Sequence, residues 1–116
     1  MAQSFQQFHL SGGSGNGTPI VVAEIATPGT LIHTSGGMDN IWLWAANIDT
    51  VARLLTIEWG GVTSPGSHLV KAYSIPAASD QRLIAPGIPL ANALIVRAFA
   101  DSASKLNLVG FVIRVT

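Results

Sequence analysis

Residues 41–61 read IWLWAANIDTVARLLTIEWGG, two apolar runs joined by a short polar turn, and their reading decides the fold. The stretch holds all three tryptophans, Trp42, Trp44 and Trp59. Fully burying one aromatic side chain removes about 150–250 Å² from water, so the rest of the chain must cover these runs. Trp42 and Trp44, two residues apart, share one face of an extended strand. In the second run Leu55, Ile57 and Trp59 alternate with Leu54, Thr56 and Glu58, and the first set is expected to fill the interior. A helix over 49–57 with Asp49 as N-cap competes with this reading. That run ends in Thr, Ile and Trp, which favour strands, and is short for a helix, so two strands are the better assignment.

Outward from this pair the pattern repeats. Strands are expected over 19–26, 30–34, 68–75, 82–85, 94–100 and 106–115, besides 41–48 and 52–59. Between them stand Thr27-Pro28-Gly29, Ser35-Gly36-Gly37, Ser64-Pro65-Gly66-Ser67, Pro76 and Pro86-Gly87-Ile88-Pro89, which punctuate the chain as turns. About eight strands with regular turn signals predict an all-β fold, a single antiparallel β-sandwich of jelly-roll type. Residues 1–17 are set apart. SFQQFHL carries Phe5, Phe8 and Leu10, and SGGSGNG follows it, which reads as a flexible N-terminal arm and Gly/Ser linker before a sandwich domain over 18–116. The glycines are not a Walker A loop, because Thr18-Pro19 stands where Lys-Ser/Thr is needed.

The composition narrows the partners. Hydrophobic residues make up 48% but charged residues only 10%, against about 25% in average soluble domains. Six basic and six acidic residues give zero formal net charge, a balance that favours association. Nucleic acid needs a basic face, and the basic residues here, Arg53 to Arg114, form no run. The longest uninterrupted apolar run, 41–46, is far short of the ~20 residues of a membrane helix. MAQSFQQFHL lacks the basic and apolar regions of a secretory signal. With no cysteine, disulfides and thiolate metal sites are excluded. Strands 94–100 and 106–115 are apolar on both faces. Val109, Phe111, Ile113 and Val115 share one side and Leu108, Gly110, Val112 and Arg114 the other, so outer faces are expected to be covered by neighbouring subunits.

Chemical signatures are sparse. His9, His33 and His68 have no metal-ligand spacing. A Ser-His-Asp set using His33 and Asp39 is conceivable, but the GxSxG nucleophile elbow is absent. Glu58, Arg97 and Arg114 interrupt apolar strands, either as ion pairs at an interface or as charges facing solvent from an outer sheet face. An aromatic row such as Trp42 and Trp44 can stack a sugar, which makes a carbohydrate-binding module the rival to core or interface packing. No catalytic, cofactor or metal residue is assigned.

Five stretches carry a family likeness: ATPGTLIHT (26–34), DNIWLWAANI (39–48), LTIEWGG (55–61), IVRAFAD (95–101) and GFVIRVT (110–116). They resemble small virion structural proteins of tailed bacteriophages, over roughly residues 18–116. The resemblance implies a β-sandwich that forms homotrimers or similar small oligomers, without active site or cofactor. It implies a capsid decoration (cement) protein on the outer surface of the head, assembled in the host cytoplasm and clamping neighbouring major capsid proteins. A tail or fibre component that recognises host glycan is the alternative. Phe5, Phe8, Leu10, Trp42, Trp44, Arg97 and Arg114 are the expected contacts with capsid or neighbouring subunit.

Overall fold

The computed structural model describes residues 4–12, 17–63, 66–77 and 81–115. Among them lie nine strands: β1 (Phe5–His9), β2 (Ile20–Val21), β3 (Thr30–Thr34), β4 (Met38–Asn47), β5 (Arg53–Trp59), β6 (His68–Ile75), β7 (Arg82–Ala91), β8 (Ile95–Ala100) and β9 (Leu106–Val115). The first sheet runs β1-β9-β4-β7, with β2 following β1 along the same edge of β9, and the second runs β3-β8-β5-β6. All pairs are antiparallel. From β2 onward every connection crosses between sheets except the β5–β6 hairpin. Partners nest as β2 with β9, β3 with β8, β4 with β7 and β5 with β6. That nesting is an antiparallel ribbon folded over itself, the jelly roll.

Side-chain alternation builds the core. Ile41, Leu43 and Ala45 of β4 and Leu106, Leu108 and Val112 of β9 face Leu55 and Ile57 of β5 and Val96, Ala98 and Ala100 of β8, all buried. Trp59 packs against this cluster, as the alternation of residues 53–59 predicts. The turn after β4 is held by buried Asn47, whose amide donates to the carbonyls of Val51 and Ile75 and whose oxygen accepts the Asp49 N–H. Those bonds give the backbone a local alternative to helix, which is why 49–57 does not coil.

Four expectations need correction. Of the arm expected over residues 1–17, the described residues 5–12 join the sandwich, and residues 1–3 lie outside the described residues. Residues 5–9 form β1 on β9, Leu10 is buried in the core, and the Gly12 N–H donates to the Ile32 carbonyl; residues 13–16 of the expected linker lie outside the described residues. The strand expected over 19–26 pairs only at Ile20–Val21. Val22 N–H still donates to the Leu106 carbonyl of β9, and beyond it the chain leaves the sheet, held by the Thr30 hydroxyl, which accepts the N–H groups of Ala23 and Glu24, and by Ala100 N–H donating to the Glu24 carbonyl. The strand expected to stop at Ala85 continues to Ala91. Pro86 and Pro89 are tolerated because β7 is an edge strand, and two register shifts against β4 absorb the irregularity. Lastly, the outer face of the second sheet is partly covered by this chain itself. Glu58, fully buried, accepts the Gly29 N–H at 2.7 Å and the Thr27 hydroxyl at 2.5 Å, fastening the β2–β3 connection over it.

Candidate functional site

The outer face of the first sheet is covered by no other strand among the described residues. Trp42 and Trp44 of β4 lie there, half-buried, across from Phe111 and Val109 of β9. Phe111 stacks on Trp42 with ring centroids 5.1 Å apart and planes 12° from parallel, and on Trp44 at 6.0 Å and 29°. On its β7 side Trp42 lies against Gly87, where a Cβ would come within 2.6 Å of the indole and where φ is +81°. Both demands select glycine. Around this ladder stand Met38, Ile113, Val115 and Leu83, and the described residues of the face include no Lys, Arg, Asp or Glu.

The outward set of β9 is therefore Val109, Phe111, Ile113 and Val115, while Leu106, Leu108 and Val112 point inward. Both sets are apolar, so alternation alone does not tell inside from outside. The register with β4 does: Val112 stands opposite buried Ile41, and Phe111 opposite Trp42. Phe111 and Ile113 complete the face and were not among the expected contacts.

The expected contacts divide. Trp42 and Trp44 share the open face, and Phe5, 67% exposed, stands at its margin on β1. Leu10 is buried and cannot meet a partner. Arg114 turns inward, its Nε and Nη2 donating to the two carboxylate oxygens of Asp39 at 2.8 and 3.1 Å, while its guanidinium lies 4.3 Å from the centroid of the Phe8 ring. Phe8 is thereby held by its own chain through a cation–π contact. Arg97 stands opposite Glu58, half-buried, and donates to the Gly29 carbonyl at 3.4 Å. Neither arginine is presented as a free contact.

Asp39 anchors a buried polar cluster. Besides Arg114 it meets His33 Nε2 at 2.7 Å and accepts the Gly36 N–H at 3.1 Å. His33 Nδ1 accepts the Ser11 N–H at 3.1 Å, which leaves the ring proton on Nε2, donated to Asp39. Both imidazole nitrogens are engaged, so the His33–Asp39 pair has no lone pair directed at a hydroxyl nucleophile. The Ser11 hydroxyl instead accepts the Thr34 N–H. A bulge between Leu31 and His33 brings this about, since it lets the adjacent Ile32 and His33 both point inward. Among the described residues no group of three or more His, Cys, Asp or Glu is placed to hold a metal ion.

Burial opposes the charge on Asp39, but the hydrogen bonds from Arg114, His33 and Gly36 outweigh it and lower the carboxyl from 3.8 to about 2. A folded-state value below the unfolded one means stability that is complete above pH ~4 and lost as the pH falls toward 2. At about 1.4 kcal/mol per unit, the loss attributable to Asp39 is about 2 kcal/mol. Urea midpoints measured between pH 5 and 2 should show this segment in the native chain and lack it in Asp39→Asn. An equal acid slope in both proteins would refute the assignment.

Compared with protein-family models, with curated proteins and with solved structures, the chain matches none.

Proposed function

We propose that this protein is a non-enzymatic structural subunit of a bacteriophage virion, an oligomeric decoration protein on the outer surface of the head. The open aromatic face of the first sheet would be its contact with the major capsid protein. The observation that carries the reading is that face itself: an aromatic sheet surface with no Lys, Arg, Asp or Glu among its described residues, on a chain with few charges anywhere. Free in solution such a surface promotes association, whereas a permanent partner would cover it. The likeness of the five stretches to virion structural proteins supplies the kind of partner. Cement action then follows from mass action, because a ligand that binds only the assembled shell stabilises it.

A sugar-stacking role fits the same residues less well. Such a platform needs a free ring face, and Trp42 lies between Phe111 and Gly87, with Phe111 stacked on Trp44 as well. A tail location would keep the same face and change only its partner.

Protein added to capsids that lack it should raise the temperature at which they rupture. Ile113→Lys, which places a charge in the half-buried face opposite Asn40, should weaken capsid binding about 100-fold, equivalent to about 2.7 kcal/mol, with little effect on folding. Capsids whose rupture temperature is unchanged by the native protein would overturn the proposal.

A further inference from the structure

The jelly roll leaves four sheet edges, and three carry protection against pairing with another chain. The β7 edge has Pro86 and Pro89. The β6 edge is irregular, with two register shifts between β5 and β6, Ala72 at φ +50° and an exposed Lys71. The β3 edge is capped, since Gly12 N–H donates to the Ile32 carbonyl and the Ser11 hydroxyl accepts the Thr34 N–H. Prolines, lysines, bulges and covering segments are the devices by which folded proteins keep edges from recruiting further strands.

Among the described residues, strand β1 has none of them. Phe5–His9, FQQFH, pairs with β9 in unbroken register and contains no Pro, Gly, Lys or acidic residue. All five side chains are exposed, and among the described residues no backbone group pairs with the strand's outer edge. The sequence is also compatible with itself in antiparallel orientation. With a twofold axis at Gln7, Phe5 faces His9, Gln6 faces Phe8 and Gln7 faces Gln7, so no like formal charges are opposed. Each Gln7 amide offers a donor and an acceptor to its symmetry mate.

We propose that β1 pairs antiparallel with β1 of a second copy of this chain across that twofold axis, so that the two first sheets form one continuous sheet. The contact is isologous, and backbone hydrogen bonds supply its affinity, as in other strand additions. Five residue pairs make a small interface, so association in the micromolar range is expected. Pairing sets the open aromatic faces of the two copies side by side, doubling the surface available to one partner. The inference needs nothing from the virion reading and is tested on purified protein alone.

The chain has no cysteine, so Gln7→Cys introduces a single thiol at the axis. Under mild oxidation at micromolar concentration it should yield a covalent dimer on a non-reducing denaturing gel. Ser74→Cys, an exposed control on the β6 edge, should stay monomeric. Gln7→Lys opposes two ammonium groups at the axis, and in sedimentation velocity the mass of the principal species should be half that of the native protein. Gln7→Cys dimerising no better than the control, or Gln7→Lys keeping the native mass, would overturn the proposal.

Discussion

Gly110→Ala is expected to destabilise the fold by about 3 kcal/mol or more, a large part of the 5–15 kcal/mol typical of a domain. Gly110 lies in β9 opposite Leu43 of β4, where the two central strands of the first sheet approach closely. A Cβ added there would sit 1.9 Å from the Trp42 carbonyl oxygen and 3.0 Å from its carbonyl carbon. Those are backbone atoms, so no rotamer change relieves the overlap, and the strands must separate or slip. Slippage by one residue would turn Val112 and Leu108 outward and Phe111 inward. Urea unfolding should show the lower midpoint, and the near-ultraviolet signal of the Trp42–Phe111–Trp44 ladder should weaken with it. A Gly110→Ala variant of native stability would mean that β4 and β9 do not pair in this register.

Asp39→Ala should cost about 3–5 kcal/mol, the range for removing one member of a buried ion pair. The carboxylate accepts from Arg114, His33 and the Gly36 N–H, and alanine leaves all three without an acceptor. The consequences reach β1. Arg114 positioned by Asp39 lies over Phe8, and His33 positioned by Asp39 accepts the Ser11 N–H. Hydrogen exchange should therefore show amides 5–12 losing protection before those of β4 and β5. Loss of global stability with β1 still protected would show that the cluster does not hold the N-terminal strand. Asp39→Asn keeps the shape and removes the charge, and should fall between alanine and the native protein.

Much of this molecule is legible in order of residues alone. β3, β6 and β9 occupy the segments that period-two alternation and turn residues predict, and β4 and β5 differ from prediction only at their ends. Turn chemistry and alternation are local properties, set by each residue's own backbone preferences and its near neighbours. The β7 extension was hidden because proline breaks a central strand but not an edge, and position in the sheet is not a local property. The aromatic site was half legible. The two-residue spacing of Trp42 and Trp44 puts them on one face, but Phe111 joins them only through a strand about 70 residues further along. His33 and Asp39 stand six apart in sequence, yet their pairing depends on the bulge in β3 that redirects the imidazole.

The sequence by itself determined an all-β chain with a pair of tryptophan-bearing strands at its centre, poor in charge and rich in two-sided apolar strands. Only the tertiary structure decided which side of those strands is inside. Residues 41–61 contribute Ile41, Leu43, Leu55 and Ile57 to the interior but leave Trp42 and Trp44 outside it. The physical reason is that hydrophobicity fixes how much surface must be hidden, not which copy of it. When both faces of a strand are apolar, the choice falls to register, bulges and close backbone approach, and these exist only between strands distant in sequence.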